Sequence, residues 1–211
     1  MHLLILGSGG HAKSVWEAAK DQFEQISFLT NDPAMTGEVS FCGCPVAVDP
    51  QTDPAAVPDF DLAVVAVGDN RRRLELSRAL RRRGIPLAVV LHPRASVSGA
   101  AELGPGTVVL ANASVNAFAR LGTACIVNTG AVAEHDCLLG DGTHLAPNAA
   151  IGGAVRTGEG VWFGIGSCAA PGIFVGDWSV VGAGAAVLAD VPERVLAAGV
   201  PAKIKKHYGE I

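Results

Sequence analysis

Residues 121–145 read Leu121-Gly-Thr-Ala-Cys-Ile-Val127-Asn-Thr-Gly-Ala-Val-Ala133-Glu-His-Asp-Cys-Leu-Leu139-Gly-Asp-Gly-Thr-His-Leu145, with an aliphatic or small residue at every sixth position. The register extends outward without insertion, from Val97, Leu103, Val109 and Val115 to Val175, Val181 and Val187. Four residues after each of these positions stands another small or β-branched residue, such as Ala131, Cys137, Thr143 and Ala149. A fixed short period of this kind is the mark of a β-helix whose coils stack on one another. Three hexapeptides make one triangular coil, so residues 18 apart in sequence should lie one above the other. The interior is then a narrow aliphatic column, which accounts for aromatics at only 5% beside 49% hydrophobic residues. Glycine often follows the apolar position, as at 104, 122, 140, 152, 158, 164, 176 and 182, and is expected there to supply turn conformations.

Upstream the period is different. His2–Leu6 reads as a strand, Gly7-Ser8-Gly9-Gly10 as a turn, His11–Lys20 as a helix and Ile26–Leu29 as a second strand. Asp49–Asp61, with three prolines, reads as a loop. Leu62–Val67 is a continuous apolar run suited to a buried parallel strand. Gly68-Asp69-Asn70 opens a helix to Arg83, and Leu87–Leu91 is a further strand. The expected architecture is therefore a small parallel Rossmann-like α/β sheet of about four strands over 1–92, followed by an all-β parallel β-helix over 93–211.

The net charge of −4 speaks against a nucleic-acid binder. The five cysteines form no CxxC pair and no metal-ligand spacing, and read as small apolar fillers in a reducing compartment. The opening apolar run is too short for a signal or a membrane span, so no membrane partner and a cytoplasmic location are expected.

Two histidines interrupt the repeat, His135 and His144, and Glu134 and Asp136 flank the first. An imidazole with a carboxylate beside it is equipped to take a proton near neutral pH. Acyl transfer from a thioester to an amine needs such a base. Gly153, 18 residues after His135, should stack beside it and leave room for a slender ligand, with its N–H available to a developing oxyanion. By the same spacing His144 and Trp162 should be neighbours. At the amino end, Gly7-Ser8-Gly9-Gly10-His11-Ala12 fits a phosphate-binding turn between strand and helix. A complete NAD site is the rival there, since Asp32 lies where a ribose-binding acid is expected, but about four strands suffice for only one mononucleotide half. Of the arginines at 71, 72, 73, 78, 81, 82 and 83, most read as a solvated helix face, with Arg73 reaching bound phosphate. Lys203, Lys205 and Lys206 are either a solvated tail or contacts to the phosphates of CoA.

The combination of Gly7–His11, Gly68-Asp69-Asn70 with Arg73, Asn128, Glu134-His135-Asp136 and the closing Gly199-Val200-Pro201-Ala202-Lys203 resembles the hexapeptide-repeat sugar O- and N-acetyltransferases. That family includes enzymes that N-acetylate nucleotide-linked 4-amino-sugars, and the sialic acid O-acetyltransferases. The resemblance implies a left-handed helix, acetyl-CoA as co-substrate, no metal, and a homotrimer with CoA between adjacent prisms. It also implies His135 as the base with Asp136, where relatives often have Glu, raising its basicity. Asn128 would lie near the acceptor amine. His144, Gly153, Ile165 and Ala183 would serve acetyl-CoA. Gly9, Gly10, His11, Asn31, Gly68 and Arg73 would serve the nucleotide sugar. Sugar O-acetylation is the alternative. A non-catalytic scaffold or a carbonic-anhydrase-like metalloprotein using His92, His135 and His144 is the rival from another class.

Overall fold

The computed structural model describes residues 1–38, 40–57 and 59–209. Strand β1 (His2–Leu6), helix α1 (Gly10–Ala19), β2 (Gln25–Thr30), β3 (Ser40–Phe41), β4 (Cys44–Val48), β5 (Leu62–Val65) and helix α2 (Asn70–Arg82) form the α/β part. Its sheet runs in the order β3-β4-β2-β1-β5, with β3 antiparallel to β4 and the remaining pairs parallel. Central β1 is buried almost throughout, which is why Leu3–Leu6 show no polar alternation. Within the expected 49–61 loop lies one short 3₁₀ turn, Pro54–Ala56, while Pro58 falls outside the described residues.

Strand assignments differ from the sequence reading at Ser40–Phe41, Cys44–Val48, residues 87–91 and Lys203–His207. Strand β4 was not foreseen, because Gly43 and Pro45 mark its start as a turn; Pro45 is tolerated opposite the short edge strand β3. The apolar run 87–91 is divided between two sheets. Leu87 bridges Ala63 of β5, whereas Val90–Leu91 pairs with Val108–Val109. Both surroundings are apolar, with Val90 buried and Leu87 and Leu91 partly buried, so composition could not reveal the crossing.

From Val90 onward the chain winds as a left-handed three-sided prism. One face carries Val90–Leu91, Val108–Val109, Ile126–Val127, His144–Leu145, Trp162–Phe163, Val180–Val181 and Val195–Ala198, closed by the antiparallel strand Lys203–His207. This is the docking face, since the α/β part packs on it. The second face runs from Ser96–Val97 through Val132–Ala133 to Ala186–Val187, and the third from Glu102–Leu103 to Phe174–Val175. Strand partners are 18 residues apart, as Ser114 with Val132 and Arg120 with Leu138. Inside, Val109, Val127, Leu145, Phe163 and Val181 stack as one buried column, and Ala131, Cys137, Ala149 and Val155 line it.

The glycine reading needs correction. The left-handed φ values fall three residues after the apolar positions from Leu103 to Val181, at Gly106, Asn112, Phe118, Ala124 and Asp136 among others. The glycines directly after the apolar position serve close approach instead. A Cβ on Gly140 would meet the Gly158 carbonyl oxygen at 2.3 Å, so these corners let successive backbones stack. The cysteine reading holds for Cys125 and Cys137, which are buried in the prism with thiols pushed up by burial to about 12 and about 11. Cys168, in contrast, is exposed on the second face.

Helix α2 joins the two parts. Arg73 is fully buried and spends all its donors on the junction. Its Nε donates to Ala124 O (2.9 Å), its Nη1 to Val67 O and Gly68 O, and its Nη2 to Gly142 O (2.7 Å) and Asn70 Oδ1. The expectation that Arg73 holds phosphate is therefore corrected: its N–H groups are already satisfied by carbonyls from both parts. Burial draws this guanidinium down to about 10, so it stays charged at neutral pH. Of the other arginines, Arg72, Arg81, Arg82 and Arg83 are exposed, as a solvated helix face requires, while Arg71 and Arg78 are half-buried. Asn70 Nδ2 donates to Gly160 O, Arg78 pairs with Glu159 and Asp141, and the Arg71 guanidinium lies 4.4 Å from the Trp178 ring centre.

Candidate active site

His135 sits at the corner between the second and third faces, where the chain leaves Val132–Ala133 and turns toward Leu138–Leu139. Asp136 adopts φ +60°, and this left-handed turn brings its carboxylate back beside the ring of its neighbour. His135 Nδ1 and Asp136 Oδ2 are 2.8 Å apart, which leaves Nε2 clear of the pair. One coil further, Gly153 lies against the imidazole: a Cβ there would come within 2.6 Å of Cε1 and Nε2. Glycine is thus required at this position for the histidine to lie flat over the next coil. Glu134 does not face the imidazole; it accepts a hydrogen bond from Asn116 Nδ2 at 2.8 Å. Both His135 and Asp136 are open to solvent in the single subunit.

A second group lies at the other edge of the second face. Asn128 Nδ2 and His144 Nε2 are 3.0 Å apart. His144 stacks on Trp162 at 6.1 Å with rings nearly parallel, as the 18-residue spacing implied, and its ring centre is 6.4 Å from that of His11. His11 comes from the first turn of α1, so this cluster joins the two parts of the chain. Asn128 and His144 therefore do not meet His135 within one subunit; the width of the second face separates them. His144 is grouped with the amino-terminal residues. Ile165 and Ala183 form an exposed corner just beyond it, tied by the Gly184 N–H to Ile165 O bond at 2.8 Å.

Burial and the nearby Arg73 charge hold both histidines neutral, His11 at about 4 and His144 at about 3. His11 Nε2 and His144 Nδ1 are buried with no hydrogen-bond partner among the described residues. The unfolded chain takes up these protons below about pH 6.5 and the folded one does not, so stability must rise with pH between about 4 and 6.5. Acidification through that window should cost up to about 1.4 kcal/mol per pH unit for each histidine. Urea unfolding at pH 7 and 4.5 checks this: the midpoint should fall, and fall less in His144→Gln. An equal fall in both proteins would assign the loss elsewhere.

The amino-terminal turn is open where a ligand would need it open. A Cβ on Gly9 or Gly10 would meet nothing within 4 Å, whereas one on Gly7 would strike Ala66 O at 2.9 Å. Gly7 also has φ +122°, so it shapes the turn while Gly9 and Gly10 leave the α1 N-terminus bare. Thr30 Oγ1 bonds Ser8 Oγ at 2.8 Å, linking the turn to the end of β2. Asn31 is exposed there, and Asp32 caps the Pro33–Met35 turn. Gly68, at the end of β5, is exposed on the same side.

The α/β part, residues 2–80, matches the family model described as the PglD N-terminal domain. PerB from Caulobacter crescentus, solved with CoA and GDP-perosamine, is 39% identical over 98% of both chains, with a TM-score of 0.89. The chain belongs to the hexapeptide-repeat nucleotide-sugar N-acetyltransferase family. A second member fits along nearly the whole length, and a third over about half. The acetyltransferase domain of PglB from Neisseria gonorrhoeae, in complex with acetyl coenzyme A, is 36% identical over 97% of this chain and 98% of that one, with a TM-score of 0.90. UDP-N-acetylbacillosamine N-acetyltransferase of Bacillus subtilis is 40% identical over 114 residues, a match that spans 51% of that relative. Membership agrees with the prism and glycine turn read from the sequence.

Among the described residues no group of three His, Cys, Asp or Glu is placed to hold a metal ion, and His92, His135 and His144 do not converge. His92 Nδ1 instead accepts the Arg94 N–H at 3.0 Å. Among the described residues no helix is long and apolar enough to cross a membrane.

Proposed function

We propose that the chain transfers acetyl from acetyl-CoA to the amine of a nucleotide-linked 4-amino-sugar, with His135 as general base. The observation that carries this reading is the His135–Asp136 pair lying over Gly153. With Nδ1–H donating to Asp136, Nε2 keeps its lone pair and takes the proton of the attacking amine. The nitrogen adds to the thioester carbonyl, the Gly153 N–H faces the oxyanion, and collapse releases CoA as the thiol after His135 returns the proton. No covalent acyl-enzyme is needed, and Cys137, the residue after Asp136, is buried inside the prism with its thiol pushed up by burial.

The separation of His135 from the Asn128–His144 group supports a shared site. In a homotrimer, the His135 corner of one copy would face the Asn128, His144, Ile165 and Ala183 edge of the next. Acetyl-CoA would run along that exposed corner past Ile165 and Ala183. The nucleotide sugar would rest its diphosphate on Gly9 and Gly10 beside His11, with Asn31 and Gly68 flanking it. Both substrates are metabolites of the cytoplasm, which is where the enzyme would act, without nucleic-acid or membrane partners.

Acetylation of a sugar hydroxyl, as in sialic acid, would use the same base. Relatives named as N-acetyltransferases favour the amine. Purified protein with acetyl-CoA should release thiol with at least one of the GDP-, UDP- or dTDP-linked 4-amino-sugars and not with free sialic acid. Turnover of sialic acid alone would reverse the assignment.

A further inference from the structure

The tip of the β3–β4 hairpin carries a pair of groups that acetyl transfer does not use. Phe41 pairs with Cys44, so Cys42 and Gly43 alone make the loop, and both have left-handed φ, +53° and +76°. A two-residue loop of this hand most readily takes asparagine or aspartate before its glycine. A cysteine there bears a backbone cost that the turn itself does not require. Pro45 confines Cys44 to extended backbone, so the three residues 42–44 are held in one shape.

That shape draws the two thiols together. Both cysteines pack on the same apolar cluster, which lies between the sheet and α1 and also takes in Trp16 and Phe41. The Cys44 thiol turns back over its neighbour and donates to Cys42 O at 3.9 Å. Two peptide units span at most about 7 Å, and a left-handed glycine between them shortens this into the range that bridged cysteines occupy. Cys42 and Cys44 are half-buried, whereas Gly43 and Pro45 are exposed, so a small molecule can reach the tip. Burial pushes the Cys42 thiol up, against the pull of Lys13, which fits it to an intramolecular second step rather than to first attack.

We propose that Cys42 and Cys44 are a redox-active dithiol, which closes to a disulfide across Gly43 on exchange with a small disulfide such as oxidised glutathione and reopens under reduction. Cys44 Sγ attacks one glutathione sulfur, forming a mixed disulfide and releasing the first glutathione thiol. Cys42 Sγ then attacks Cys44 Sγ, and the second glutathione leaves as a thiol. Two cysteine thiols are oxidised, one disulfide is reduced, and the two cysteine protons depart with the glutathiones. A strained, exposed disulfide of this kind is easily reduced, so the dithiol is the resting form in a reducing compartment. The site adjoins α1 through Lys13, whose Nζ is 5.9 Å from the Phe41 ring centre, and takes no residue from the His135 or Asn128–His144 groups.

The test equilibrates the purified protein with reduced and oxidised glutathione at graded ratios, followed by acid quenching, alkylation and trypsin. The fragment 21–71 holds Cys42 and Cys44 and no other cysteine. In excess oxidised glutathione this fragment should lose two hydrogens and carry no glutathione, and dithiothreitol should restore it. In Cys42→Ser or Cys44→Ser the remaining thiol should instead keep one glutathione. Gly43→Val tests the turn: a Cβ there meets nothing within 4 Å, but φ +76° disfavours valine. Its ring closure should need a ratio at least about tenfold more oxidising. Two free thiols at every ratio, or two glutathiones on the parent fragment, would overturn the proposal, as would a ring that closes as readily in Gly43→Val. Should that variant fail to fold, the parent and the two serine variants still decide.

Discussion

Replacing His135 by alanine is expected to lower kcat at least about 10²-fold while leaving the unfolding midpoint where it was. The asymmetry follows from position. The imidazole is largely open to solvent and its one side-chain partner is the adjacent Asp136, so folding loses little when it goes. Catalysis loses the group that takes the amine proton. Asp136→Asn should fall between the two, because the amide can hold the ring but cannot favour the imidazolium. Full kcat in His135→Ala would remove this residue from the mechanism.

Arg73→Leu should produce the largest loss of stability, more than about 3 kcal/mol, by leaving several buried acceptors without a donor. The carbonyls of Ala124, Gly142, Val67 and Gly68 all take their hydrogen bonds from this one guanidinium. Leucine fills much of the volume and satisfies none of them. Lysine keeps the charge but not the five-donor fork, so Arg73→Lys should recover part of the loss and not all of it. Urea unfolding measures both. A midpoint for Arg73→Leu equal to that of the parent would mean that α2 is held to the prism by its apolar contacts alone.

The prism could be read from the sequence because its register is a property of every sixth residue. No distant contact has to be known before Val109, Val127 and Leu145 are seen to stack. The dyad was legible for the same reason, since His135, Asp136 and Gly153 are related by neighbourhood and by one coil. What sequence could not supply was which corners face each other. Asn128 and His135 are seven residues apart and still point to opposite edges of the second face, a consequence of the triangular cross-section. Arg73 looked like a phosphate ligand because an arginine after a Gly-Asp-Asn turn is well placed for one. Its burial depends on α2 lying across the coils that carry Ala124 and Gly142, residues some 50 and 70 positions away. Likewise, Gly43-Cys44-Pro45 looks like a turn until the edge of the sheet is known. Glycines 140 and 158 looked like turn formers because a sequence does not show that a Cβ at 140 would come within 2.3 Å of the Gly158 carbonyl oxygen.

Mixing two inactive variants tests the shared site most directly: His135→Ala subunits, with an intact Asn128–His144 edge, refolded at equal ratio with Asn128→Ala/His144→Gln subunits, whose dyad is intact. If catalysis joins His135 of one copy to the edge of the next, random trimers should regain about a quarter of wild-type activity, one competent interface in each mixed trimer. Activity no higher than that of the two variants kept apart would contradict the account and place the whole site within a single subunit.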